Sequence, residues 1–132
     1  MIVFDSYAWV EYFMGSKRGV VAKKYLEGEE IVTPDIVLAE IARKYLREGL
    51  AKDEVRGRLY FIATRGEVEA VDADLGLAAA EAWKELDARA KKEGIRGPSL
   101  TDGIILALAR RCKGKVLTGD GHFKGLKEAI IL

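Results

Sequence analysis

A chain of 132 residues is the size of one domain, long enough to bury a real core and too short for two. Hydrophobic residues make up 49% and charged residues 33%, an ordinary globular balance, and a net charge of +1 argues neither for nor against a nucleic-acid partner. No uninterrupted apolar run approaches the roughly 18–20 residues of a membrane span, and the single Cys112 excludes an internal disulfide or a Cys-based zinc site, which fits a reducing cytoplasm.

Met1-Ile2-Val3-Phe4 reads as a short buried strand, and it meets Asp5 with no basic region or cleavage site of a signal peptide. A helix follows, carrying Ala8, Trp9, Tyr12 and Phe13 on one side. Val20, Val21, Tyr25 and Leu26 predict a second helix, closed by Gly28. Ile31-Val32-Thr33 predicts a second strand. Thr33-Pro34 has the form of a helix start, a hydroxyl N-cap followed by Pro at the first helical position. Apolar residues at 37, 38, 41, 42, 45 and 46 keep helical spacing until Gly49. Residues 52–64 predict another helix, and Val68 to Val71 a third strand. Asp72 or Asp74 is placed to cap a long helix over 75–93, with Leu75, Ala78, Ala79, Ala82, Trp83 and Leu86 on its apolar side. Gly94, Gly97 and Pro98 break it. Ser99 opens a strongly apolar helix reaching Cys112, Lys115 to Thr118 forms a fourth strand, and Ala129 to Leu132 a final short one. Strands alternating with helices predict a parallel sheet covered on both faces.

Four carboxylates stand where such a sheet would gather them: Asp5, Glu40, Asp102 and Asp120. Ligands of open α/β sheets bind beyond the carboxyl ends of the strands. Each acid also has a plainer reading. Asp5 or Ser6 can cap the first helix. Glu40 can pair with Lys44 at i,i+4. Ser99-Leu100-Thr101-Asp102 has the spacing of a capping box, and Thr118-Gly119-Asp120-Gly121 is turn chemistry. Taken together the acids point further, because like charges packed at one place raise each other's pKa and destabilise an empty site. Mg²⁺ or Mn²⁺ would relieve that repulsion with a few carboxylates and substrate phosphate as ligands, and would serve phosphoryl displacement.

The ordered segments Ile2-Val3-Phe4-Asp5-Ser6, Thr33-Pro34-Asp35-Ile36-Val37-Leu38-Ala39-Glu40, Ser99-Leu100-Thr101-Asp102-Gly103 and Leu117-Thr118-Gly119-Asp120-Gly121-His122-Phe123 resemble a PIN-domain ribonuclease, particularly a VapC-type toxin. The resemblance runs nearly end to end, implying one PIN-like domain over residues 1–132. It implies a three-layer α/β/α sandwich around a mainly parallel sheet of about five strands. It also implies Mg²⁺- or Mn²⁺-dependent endoribonuclease activity, with Asp5, Glu40, Asp102 and Asp120 as the acidic metal site. Ser6 and Thr118 match supporting hydroxyls, and a VapB-type antitoxin and a homodimer are the implied partners. A PIN nuclease for RNA processing or DNA ends stays open, as does a catalytically silent RNA-binding module. A haloacid-dehalogenase-like phosphatase fits poorly, since Tyr7 stands where its second Asp belongs.

His122 suits a loop-ordering hydrogen bond better than a ligand role, although a metal or phosphate contact is open. Cys112 reads as a small buried hydrophobe. Lys17, Arg18, Arg43 and Arg110 are candidate RNA contacts, against the default of solvated helix faces. Trp9, Tyr12 and Phe13 suit packing better than base stacking. The chain contains no Asn or Gln, a hyperthermophile pattern that predicts a melting temperature above about 65 °C.

Overall fold

Five short strands, β1 (Ile2–Phe4), β2 (Ile31–Pro34), β3 (Glu67–Glu69), β4 (Lys115–Thr118) and β5 (Ala129–Ile131), form one sheet in a computed structural model that describes residues 1–132. Their order is β3-β2-β1-β4-β5, and every neighbouring pair is parallel. Parallel neighbours need long crossovers. Helices α1 (Ser6–Met14) and α2 (Lys17–Gly28) join β1 to β2, and α3 (Asp35–Arg47) and α4 (Lys52–Arg65) join β2 to β3. Helices α5 (Ala73–Glu93) and α6 (Leu100–Arg111) carry the chain back across the sheet to β4.

Crossovers of this kind are right-handed. The outward walk from β1 to β3 therefore puts α1 to α4 on one face, and the return to β4 puts α5 and α6 on the other. Helix α1 packs on α2 and α3, α3 on α4, and α5 along α6. The result is a three-layer α/β/α fold around an all-parallel five-stranded sheet.

The central strands are buried on both sides, with Val3, Phe4, Val116 and Leu117 fully enclosed, as covered parallel sheets require. Every residue of α6 from Gly103 to Ala109 is buried. Gly103 makes that possible: a Cβ there would sit 2.5 Å from the Ala79 carbonyl oxygen of α5, so only Gly lets the two helices meet. Trp9 fills the other layer, edge-on to Phe4 with ring centroids 4.9 Å apart. Tyr12 and Phe13 join Phe61 in an aromatic cluster, so these three rings of α1 serve packing.

The Thr33-Pro34 helix start is corrected. Strand β2 runs through Pro34, and Pro34 is the extended residue before α3, with no side-chain cap. The Thr33 hydroxyl is engaged elsewhere: it accepts from Trp9 Nε1 at 2.9 Å and donates to the Phe4 carbonyl. Tertiary hydrogen bonding outcompeted the local cap. Gly28 likewise ends α2 from inside the helix, and extended Glu29 is the residue that leaves it. Strand β3 lies one to two residues earlier than the Val68-to-Val71 run, because it pairs Thr33 with Val68 at the edge of the sheet. No helix is long and apolar enough to cross a membrane.

Candidate active site

Strand order reverses at β1, where the chain departs one way to β2 and β3 and the other way to β4 and β5. Such a switch point opens a crevice beyond the carboxyl ends of the two central strands. Phe4 faces Leu117 in the β1–β4 register, so the next residues, Asp5 and Thr118, are brought side by side. The Thr118 hydroxyl donates to Asp5 Oδ2, and the Ala8 N–H donates to Asp5 Oδ1 at 2.8 Å. The Asp120 N–H in turn donates to Thr118 Oγ1 at 3.0 Å.

All four acids singled out in the sequence line one cavity of about 580 Å³ in this crevice, with Ser6, Tyr7, Ser99, Thr101 and His122 among their neighbours. The local roles suggested for them coexist with this placement. Asp5 is the N-cap of α1. Asp102 closes a capping box, its Oδ2 accepting from the Ser99 N–H at 2.9 Å. Asp120 caps the 3-10 turn Gly121–Phe123, accepting from the His122 N–H at 2.9 Å. Glu40 departs from its plain reading, since Lys44 pairs with Glu48 at 2.7 Å instead. The Thr101 and Ser6 hydroxyls line the same cavity and favour the ionised form of Glu40.

Crowding and burial change the acids' chemistry. Burial pushes Asp5 up to about 7, aided by the charges of Asp120 and Asp102 and opposed by the bonds from Thr118 and Ala8. Burial and the Asp120 charge push Asp102 up to about 6, although Ser99 and His122 oppose it. Glu40 is also raised, again chiefly by burial, against Thr101, Arg43 and Ser6. These groups resist ionising together in the bare cavity, as carboxylates sharing a site do.

His122 meets two acceptors. Its Nδ1 lies 2.7 Å from Asp120 Oδ1 and its Nε2 lies 2.6 Å from the Arg96 carbonyl oxygen. Both bonds require an N–H, so the ring favours its cationic form. Burial opposes that charge, and the Arg96 carbonyl and Asp120 outweigh it, raising the pKa. Asp102, Asp120 and His122 offer ligand atoms within 4.8 Å of one another. With both ring nitrogens engaged, His122 orders the loop, and the carboxylates remain the free donors. A set of hard oxygens with surplus negative charge fits Mg²⁺ or Mn²⁺ better than a softer metal.

The remaining candidates are spread out. Ser6 lines the cavity, and Thr118 is buried directly beneath it. Lys17 is exposed at the start of α2, and Arg18 donates to the Tyr7 hydroxyl at 2.8 Å. Arg43 lines an adjoining groove. Arg110 is held at the far end of α6 by Glu85 at 2.7 and 2.9 Å and by Glu128, away from the acids. Two site neighbours had no signal of their own: Thr101, which shares the cavity lining with Glu40, and Tyr7, whose ring fits only because position 119 is Gly. A Cβ on Gly119 would lie 2.2 Å from the Tyr7 ring.

The fold and the cavity define a class, an α/β/α sandwich with carboxylates gathered at the switch point of a parallel sheet. The chain belongs to the PIN domain family, whose model matches residues 2–129. No curated protein matches it in sequence. Similar solved structures include Mycobacterium tuberculosis VapC20, described as a sarcin–ricin loop cleaving toxin, at 24% identity and TM-score 0.71, covering 97% of this chain and 96% of that one. VapBC2 from Rickettsia felis, bound to a DNA fragment from its promoter, matches at 18% identity and TM-score 0.69, covering 100% and 98%. FitAcB from Neisseria gonorrhoeae matches at 18% and 0.66, covering 100% and 97%. At these identities the likeness is one of fold.

Proposed function

We propose that this protein is a Mg²⁺- or Mn²⁺-dependent endoribonuclease of the VapC toxin type. The observation that carries the reading is the convergence of Asp5, Glu40, Asp102 and Asp120 on one cavity at the switch point of a PIN fold. These four residues would hold the cation. When bound, it offsets their mutual repulsion and stabilises charge on the phosphoryl oxygens of an in-line displacement.

The rest of the work belongs to the chain's own groups. Thr118 and the Ala8 N–H fix the Asp5 carboxylate from behind, and each of its oxygens retains a further lone pair. Ser6 and Thr101 favour the ionised form of Glu40. Ser99 holds Asp102, and His122 ties Asp120 to the Arg96 loop. No His or Cys nucleophile is required. Water adds to phosphorus, the bond from phosphorus to the 3′-oxygen breaks, and that oxygen takes a proton, leaving 5′-phosphate and 3′-hydroxyl ends.

The toxin reading is supported by the company the fold keeps. The VapBC and FitAcB structures match over nearly their full lengths. A VapB-type antitoxin and a homodimer are the corresponding partners. The activity is tested with purified protein and a mixed-sequence RNA. Cleavage in Mg²⁺ or Mn²⁺ that disappears with chelator and in Asp5→Asn supports the mechanism; equal cleavage in all three conditions overturns it. Growth arrest relieved by a co-expressed neighbouring small gene separates a toxin from a housekeeping nuclease.

A further inference from the structure

A second cavity opens from the acid pocket. It is a groove of about 520 Å³ between α1 and α3, and it shares Ser6, Tyr7 and Glu40 with the pocket. Both helices begin at the carboxyl ends of adjacent parallel strands, so both run away from the acids with the groove between them. On α3 the groove is lined by Glu40, Arg43, Lys44 and Arg47, spaced i, i+3, i+4, i+7 along one helical face. At 1.5 Å per residue, Arg43 lies about 5 Å and Arg47 about 10 Å farther along the axis than Glu40. The charge therefore changes from negative at the pocket mouth to positive along the groove.

Two of these cations stand outside any ion pair. Lys44 pairs with Glu48, and Glu11 on the opposite wall accepts from the Ser16 hydroxyl. Arg43 and Arg47 are exposed and form no ion pair, whereas Arg110 and Arg111 are both held by carboxylates. Val10 and the exposed Met14 supply apolar surface on the α1 wall. Free guanidinium groups suit phosphate oxygens, and a basic track beside apolar surface suits an unpaired nucleic-acid strand.

We propose that the α1/α3 groove is the track for one arm of single-stranded RNA, with Arg43 and Arg47 holding two backbone phosphates beside the one to be cut. This rests on the ribonuclease reading. An endonuclease cuts inside a strand, so the polymer has to leave the acid pocket on both sides. The groove is an exit that shares walls with the pocket and reverses its charge. Tyr7 stands at the junction of the two cavities, where the strand turns from one into the other.

The test is fluorescence anisotropy with a labelled, mixed-sequence single-stranded RNA 12-mer, in EDTA to prevent turnover, across a NaCl series. Arg43→Gln/Arg47→Gln is compared with the parent and with a control of equal charge loss on α5, Lys84→Gln/Lys92→Gln; thermal melts verify folding. The groove variant is expected to bind roughly tenfold more weakly, with its log K against log salt slope shallower by about 1.4, two phosphates at about 0.7 each. The control is expected to lose little. Unchanged affinity and slope, the outcome for a groove built for a protein partner, overturns the proposal. Equal loss in the control, or no RNA binding by the parent, does the same. Groove-dependent binding without metal-dependent cleavage would reject the nuclease reading and keep the track; cleavage with unaltered binding in the variant would do the reverse.

Discussion

The Thr118 hydroxyl donates to Oδ2 of Asp5, joining the carboxyl ends of the two central strands across 113 residues of sequence. The bond lowers the Asp5 pKa against the burial that raises it, so Thr118 helps keep the central acid available as an anion. The same hydroxyl oxygen accepts the Asp120 N–H and thereby sets the position of a second acid.

Thr118→Val removes that donor and acceptor while keeping much of the side chain's shape. Groups that orient ligands in this way typically matter by about 10–100-fold in metal affinity. We expect Mn²⁺ affinity by calorimetry to fall within that range, and Thr118→Ser to restore most of it. Unaltered affinity in Thr118→Val would remove Thr118 from the site's support.

The pH dependence follows from Asp5 and Asp102, raised from 3.8 to about 7 and about 6. Between their unfolded and folded pKa values, the folded chain binds more protons than the unfolded chain. These acids therefore make the metal-free protein less stable as pH rises from about 4 through 7; Asp5 alone accounts for roughly 3–5 kcal/mol. Asp5→Asn remains a competent N-cap, and the Thr118 hydroxyl is free to rotate and accept from its amide. In urea melts at pH 8 without metal, this variant is expected to be the more stable, and saturating Mg²⁺ to stabilise only the parent. A parent protein with flat metal-free stability between pH 4.5 and 8 would contradict the raised values.

Much of this site was legible before the structure because its elements are local. Asp5, Asp102 and Asp120 sit at helix starts or turns that their own neighbours announce, and the strand–helix alternation places those starts at one edge. What could not be read was decided by contacts across the sheet. Thr33 looks like a cap in sequence but binds Trp9 and Phe4. Glu40 looks like the partner of Lys44, but Lys44 pairs with Glu48, and Glu40 lines the acid pocket with Thr101, 61 residues away by their numbers. Nothing in the sequence links Tyr7 to Gly119, and their complementarity exists only when β1 and β4 pair.

That complementarity gives a double-mutant prediction. Gly119→Ala forces its Cβ to within 2.2 Å of the Tyr7 ring, an overpacking expected to cost about 1–3 kcal/mol. Tyr7→Ala should relieve most of it, so the two changes are strongly non-additive in chemical denaturation. Additive costs would mean that the ring does not press on Gly119.

Thr33→Val tests the buried link between β2 and α1. It leaves the Trp9 indole N–H without its partner at 0% exposure of the residue, a loss expected to cost about 1–3 kcal/mol. The change should appear in the denaturation midpoint with an unchanged m-value. A neutral substitution would show that Trp9 finds another acceptor.

Mn²⁺ anomalous diffraction at pH 8 is the direct test of whether the four acids make one cation site. The expected result is an anomalous peak in the cavity bounded by Asp5, Glu40, Asp102 and Asp120, lost in Asp5→Asn crystals grown alongside. An empty cavity at saturating Mn²⁺, or a peak that survives the substitution, would contradict it.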